Sequence, residues 1–166
     1  GSTGILAHTG DSGGPSGAGS ITINHTGDIQ TGSDPGILAW VQNGTNNVTI
    51  NNTGNGTIGG AGDGIVIGNP VYTPSLNSGG FLDFVTQGSG LAGLAVGTLL
   101  PSSGNGTVTN KSDIHVGGNG IVIHATGDAE ATNTADGSIT AGGDGIHIGG
   151  TTLFVPTPSL GNAIVT

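Results

Sequence analysis

Apolar positions along the chain come in short alternating runs, each bracketed by Gly, Asn or Asp. The clearest run opens on Gly and continues in small aliphatics. It recurs as Gly4-Ile5-Leu6-Ala7, Gly36-Ile37-Leu38-Ala39, Gly64-Ile65-Val66-Ile67, Gly90-Leu91-Ala92, Gly120-Ile121-Val122-Ile123 and Gly145-Ile146-His147-Ile148. These openings stand 25–32 residues apart. At the fourth, Gly93-Leu94-Ala95-Val96 serves equally well. A second alternating phrase follows in most units, at Ile21-Thr22-Ile23, Val48-Thr49-Ile50, Thr107-Val108-Thr109 and Ala131-Thr132-Asn133. After a polar turn comes a third apolar position, at Ile29, Ile58, Ile114 and Ile139. The third unit carries Phe81-Leu82-Asp83-Phe84-Val85 instead. Period-two alternation broken by turn formers predicts short strands, and no segment sustains a helical period.

Three short strands in each repeat predict an all-β chain: a single-stranded, right-handed parallel β-helix of about six coils of 25–32 residues. The handedness follows from the preference of parallel crossovers. Inward aliphatics should stack from coil to coil. Alternation permits only one inward parity, which leaves open whether Ile65 or Val66 faces the core. Between the first and second strands each unit has a slot of variable length, filled by residues 9–17, 69–78, 99–103 and 154–160 in units one, three, four and six.

Composition narrows the class further. The 166 residues suit one domain, and 37 Gly with regularly spaced Ile and Val indicate a folded repeat rather than a disordered tract. Ten acidic residues against one Lys give a formal charge of −9. Nothing here neutralises phosphates, so nucleic acid and anionic membrane surfaces are poor partners. The absence of Cys removes disulfides and thiolate metal sites. No apolar run reaches membrane-spanning length. A start at Gly1 and the lack of Met suggest a piece of a longer protein.

Several motifs invite chemistry. Gly10-Asp11-Ser12-Gly13-Gly14-Pro15 resembles the nucleophile segment of trypsin-like proteases, with His8 nearby. Such proteases place His and Asp well before the Ser, whereas only eleven residues precede Ser12. The stretch fills the slot where other units carry Pro-Ser loops, so it reads as a loop. Asp63 in Gly59–Gly64 resembles part of a Ca²⁺-binding repeat, but the period here is wrong for it. Asp113 and Asp136 are expected on equivalent turns of adjacent coils, solvated and metal-free. His8, His25, His115, His124 and His147 lack ligand spacing and are expected at the surface or in turns. Asn52, Asn110 and Asn133 share a turn position and should form an amide ladder. The Asn-x-Ser/Thr matches read as turns rather than glycan acceptors. Regular Thr-x-Thr arrays of the kind an ice-binding face needs are absent. No cofactor or metal is expected.

The few aromatics point to the slots. Tyr72, Pro74 and Leu76 in unit three, with Phe154, Pro156 and Leu160 in unit six, form related Pro-Ser loops. They either fold back over apolar core or stand as a ridge that meets a partner surface. Trp40, at a strand end, packs or stacks on a ring.

The phrases running from Gly1 to Trp40, together with Val48–Ile67 and Glu130–Ile148, resemble the repeats of bacterial autotransporter passenger domains. That resemblance implies a β-helix delivered to the cell surface by a C-terminal outer-membrane barrel. The function expected from it is non-enzymatic: a surface-displayed adhesin or scaffold, extracellular, meeting host, neighbouring-cell or matrix surfaces or other copies of itself. A self-assembling filament or surface-layer element is the alternative. A polysaccharide-active enzyme is a third reading, but the carboxylates lie singly along the turns and no Arg is present.

Overall fold

The structure, a computed structural model, describes residues 2–9, 19–42, 46–70, 99–100, 102, 104–151, 156–157 and 162–166. Among them there is no helix. Fourteen of the strands form three parallel sheets. Sheet 1 contains β1 (Ile5–Thr9), β4 (Ile37–Val41), β7 (Ile65–Ile67), β12 (Ile121–Ile123) and β15 (Ile146–Ile148) in that order. Sheet 2 contains β2 (Ile21–His25), β5 (Val48–Asn52), β10 (Gly106–Asn110), β13 (Ala129–Asn133) and β18 (Ala163–Val165). Sheet 3 contains β3 (Ile29–Gln30), β6 (Thr57–Gly60), β11 (Asp113–Val116) and β14 (Ser138–Ala141). Two small antiparallel pairs complete the described strands: β8 (Asn69–Pro70) with β9 (Leu99–Leu100), and β16 (Gly150–Thr151) with β17 (Pro156–Thr157). The chain visits sheets 1, 2 and 3 in turn, so each strand lies beside its equivalent from the neighbouring level. This is a solenoid-like arrangement.

The repeated Gly-Ile-x-Ile phrase now has a physical cause. Ile37, Ile65 and Ile121 lie in register in sheet 1, and all three are buried in one aliphatic column. Ile65 and Ile67 face that core, which settles the parity that the sequence leaves open. The glycine before each Ile is fixed by close approach between levels. A Cβ on Gly64 would stand 2.5 Å from the Gly120 carbonyl oxygen, and one on Gly120 equally close to that of Gly145. At the turn from sheet 2 to sheet 3, Gly54 has a φ of 113°, where glycine carries no Cβ penalty.

One junction departs from one coil per glycine phrase. β7 pairs directly with β12, and β10 with β5, so sequence units three and four contribute strands to the same level. The Gly90 phrase and Phe81–Val85 lie outside the described residues. How the level closes is visible at Ser102. The chain leaves sheet 1 after Gly68, and Ser102 later occupies the place beside Val41 and Ala125. Its Oγ accepts from Val41 N at 2.9 Å, its N–H donates to the His124 carbonyl at 2.8 Å, and its carbonyl accepts from Thr126 N. Ser102 is fully buried. A parallel ladder can absorb a long excursion because loop closure costs grow only slowly with length.

Candidate functional site

Polar side chains at the corners are largely committed to the fold. Before sheet 2, Ser20 Oγ accepts from Asn47 N, and Asn47 Oδ1 from Asn105 N. The series continues with Asn105 Oδ1 accepting from Asp128 N and Asp128 Oδ1 from Asn162 N, both at 2.9 Å. Before sheet 1, Asp63 Oδ1 accepts from Asn119 N at 2.7 Å and Asn119 Oδ1 from Asp144 N at 2.8 Å. Asp28 Oδ1 takes Thr57 N between sheets 2 and 3. In each case a side-chain oxygen of one level satisfies a backbone donor of the next, the use that Asn and Asp serve at turns generally.

The expected amide ladder is present, and its position differs from the expectation. Asn52, Asn110 and Asn133 end strands β5, β10 and β13, with Asn52 and Asn110 buried inside the corner. Asn52 Nδ2 donates to Asn110 Oδ1 at 2.8 Å, and Asn110 Nδ2 to Asn133 Oδ1 at 2.7 Å. Asn110 also donates to the Ser112 carbonyl, and Asn133 to that of Gly137. His25 heads the column: its Nδ1 donates to Asn52 Oδ1 at 2.8 Å. The alternation of β2 places His25 inside at a strand end, correcting its assignment to the surface or a turn. His124 is likewise buried.

Register corrects a further expectation and adds a feature not foreseen. Asp113 lies beside Ser138 rather than Asp136, and Ser138 Oγ donates to Asp113 Oδ1. The two-residue shift arises because β14 begins after Asp136. On the outward face of sheet 2, Thr22, Thr49 and Thr107 form one column and Asn24, Asn51, Thr109 and Thr132 another. Intervening loops of unequal length hide this array in the sequence. The first column breaks at Glu130 and Ile164. Among the described residues, no three His, Asp or Glu side chains converge as a metal site would require.

The middle of sheet 1 is apolar on both faces, with His8 and His147 on the outward side of its end strands. Leu38, Val66 and Val122 point outward yet are at most 4% exposed, and Trp40 packs against them. Trp40 stacks on His8 of the preceding level, with ring centroids 4.8 Å apart and planes 10° from parallel. One face of the lone Trp is thus already occupied.

Length variation is confined to one corner, as the variable slot predicts. Between sheets 1 and 2 run residues 10–20, 42–47, 68–105, 124–128 and 149–162. Between sheets 2 and 3 run only 26–28, 53–56, 111–112 and 134–137, and between sheets 3 and 1 only 31–36, 61–64, 117–120 and 142–145. Tyr72, Pro74, Leu76, Phe154 and Leu160 belong to the long connections and lie outside the described residues, as does Ser12. Pro156 is in β17. What connects these positions is the corner that carries them. Comparison of the chain with protein-family models, curated proteins and solved structures finds no match.

Proposed function

We propose that this chain is a right-handed parallel β-helix of five coils, the third carrying a long insertion, and that it acts without catalysis as a surface-displayed adhesin or scaffold. The proposal extends the resemblance to autotransporter passenger repeats, and with it an extracellular setting. The observation that carries it is the confinement of every long connection to one corner of the solenoid. A rigid rod that varies only along one edge presents loops in a row, and in repeat folds such insertions supply the binding face. The engagement of Asp28, Asp63 and Asp128 by backbone N–H groups of the next level is structural work rather than acid–base pairing, which supports a non-enzymatic role. Host, neighbouring-cell or matrix surfaces are the partners this reading names.

Beads coated with the chain test the reading. They should adhere to cell or matrix surfaces, and replacing residues 71–98 with a short link should abolish adhesion while the circular dichroism spectrum stays β-rich. Equal adhesion by the shortened chain would refute a role for the loop edge. The filament alternative predicts instead that the free chain sediments as a growing polymer.

A further inference from the structure

Most of the described Asp carboxylates engage a partner in the fold, at Asp28, Asp63, Asp113, Asp128 and Asp144. Asp34, in the turn from sheet 3 to sheet 1, does not. It is 4% exposed, and its Oδ2 is sealed from solvent without a hydrogen-bond donor. A buried polar group without a partner is uncommon enough to call for a reason. The next residue is Pro35, and this is the one Asp–Pro bond in the chain. The backbone around that bond is held from several sides. Gly32 O accepts from Ala61 N at 2.7 Å, Pro35 O accepts from Gly4 N at 3.4 Å, and Gly36 N donates to Asp63 O at 3.0 Å. The Asp34 carbonyl lies against the next level, where a Cβ on Gly62 would stand 2.8 Å from its oxygen. That oxygen also accepts from the Thr31 hydroxyl at 2.9 Å.

An idle carboxyl beside a polarised carbonyl and a proline nitrogen makes a self-cleaving bond. We propose that the folded chain breaks its own backbone between Asp34 and Pro35. In its acid form the Asp34 carboxyl adds through one oxygen to the Asp34 carbonyl carbon, and its proton passes to the Pro35 nitrogen. The C–N bond then breaks, leaving a cyclic anhydride at residue 34 and a secondary amine at Pro35. Water opens the anhydride and restores an aspartic acid, now a C-terminus. Water is the only reactant consumed. The Pro35 nitrogen bears no hydrogen and carries an extra alkyl substituent, so it takes the proton and leaves more readily than an ordinary amide. Thr31 stabilises the charge that gathers on the carbonyl oxygen, the part a fixed donor plays in acyl transfer. The pinned turn keeps the attacking and attacked groups together, which favours the intramolecular step. Once severed, the first level stays docked, because β1, β2 and β3 keep their ladders with β4, β5 and β6. The rod then ends in a level held by pairing alone.

The test is to incubate the folded chain in a mildly acidic buffer, denature it and read intact masses. Two fragments should appear, broken between Asp34 and Pro35, whose masses sum to that of the parent plus one water. Added hydroxylamine should be captured as a hydroxamate at residue 34, which marks the anhydride and excludes a contaminating protease. Asp–Pro bonds break slowly in any acidic solution, so the same buffer with urea gives the rate without the fold. The folded chain should cleave about tenfold faster or more. Asp34→Ala should abolish cleavage. Thr31→Val should slow it about tenfold or more, and Thr31→Ser, which keeps the donor, should restore it. Both Thr31 variants should keep the β-rich circular dichroism of the parent, so that the rate reads the hydroxyl alone. An intact chain, fragments that form equally fast in urea, or cleavage that survives Asp34→Ala overturns the proposal. So does a rate that Thr31→Val leaves unchanged.

Discussion

The corner between sheets 2 and 3 and the corner between sheets 1 and 2 answer to opposite demands. The first is short in every level and filled by the column of His25, Asn52, Asn110 and Asn133. The second varies from the tight connection 124–128 to the long excursion 68–105. An amide column holds its corner to two to four residues, because each amide must meet the one above and the one below. The other corner is tied down only at its two ends, beside sheet 1 by Ser102 and just before sheet 2 by the series of Asn47, Asn105 and Asp128, and it tolerates almost any excursion between them. In this solenoid, rigidity and variability are sorted by corner rather than by level.

Substitutions on the rigid side should cost most. Ile121 is fully buried between Ile65 and Ile146, so Ile121→Ala removes packing shared with two levels. A loss of about 3–4 kcal/mol is expected in urea unfolding. Asn110→Ala should follow, at about 2–4 kcal/mol. It strands the Asn52 donor, the Asn133 acceptor and the Ser112 carbonyl, and buried groups without partners are costly. If Asn110→Ala is silent, the comparison between corners fails.

The variable side should be forgiving. Pro70 lies opposite Leu99 in the β8–β9 pair, so an Asn-Gly turn can join them in place of residues 71–98. Stability should change by no more than about 1 kcal/mol. Unfolding of this shortened chain would show that the excursion is integral to the core. His8→Ala should cost only about 0.5 kcal/mol. The chain has one Trp, so fluorescence reports on the stack alone, and loss of His8 should shift Trp40 emission to the red. Ser12→Ala should leave stability within about 0.5 kcal/mol of the parent, and mass spectrometry should find no fluorophosphonate adduct on Ser12.

Much of the fold is legible in the residues. Period-two runs such as Val48-Thr49-Ile50 identify strands, and the common spacing of Asn52 and Asn133 from their glycine phrases foretells the ladder. Other features are invisible because they depend on register across loops. Nothing local says that Gly64 stacks on Gly120 rather than Gly90, since a stacked pair looks the same in sequence at any separation. The same uncertainty misplaces Asp113 opposite Asp136 and conceals the column of Thr22, Thr49 and Thr107.

The side-chain ladders give the rod a direction. From one level to the next, Asn52 and Asn110 offer donors upward, while Asn47, Asn105 and Asp128 offer acceptors to the backbone above. No level can satisfy these groups by itself. Each therefore acquires its polar partners only by docking on a neighbour already in place, and folding becomes a templated, zipper-like process. A single level cut from the chain should be a random coil. A break at Asn110 would stall the zipper there and leave the levels on either side to fold or fail as separate blocks.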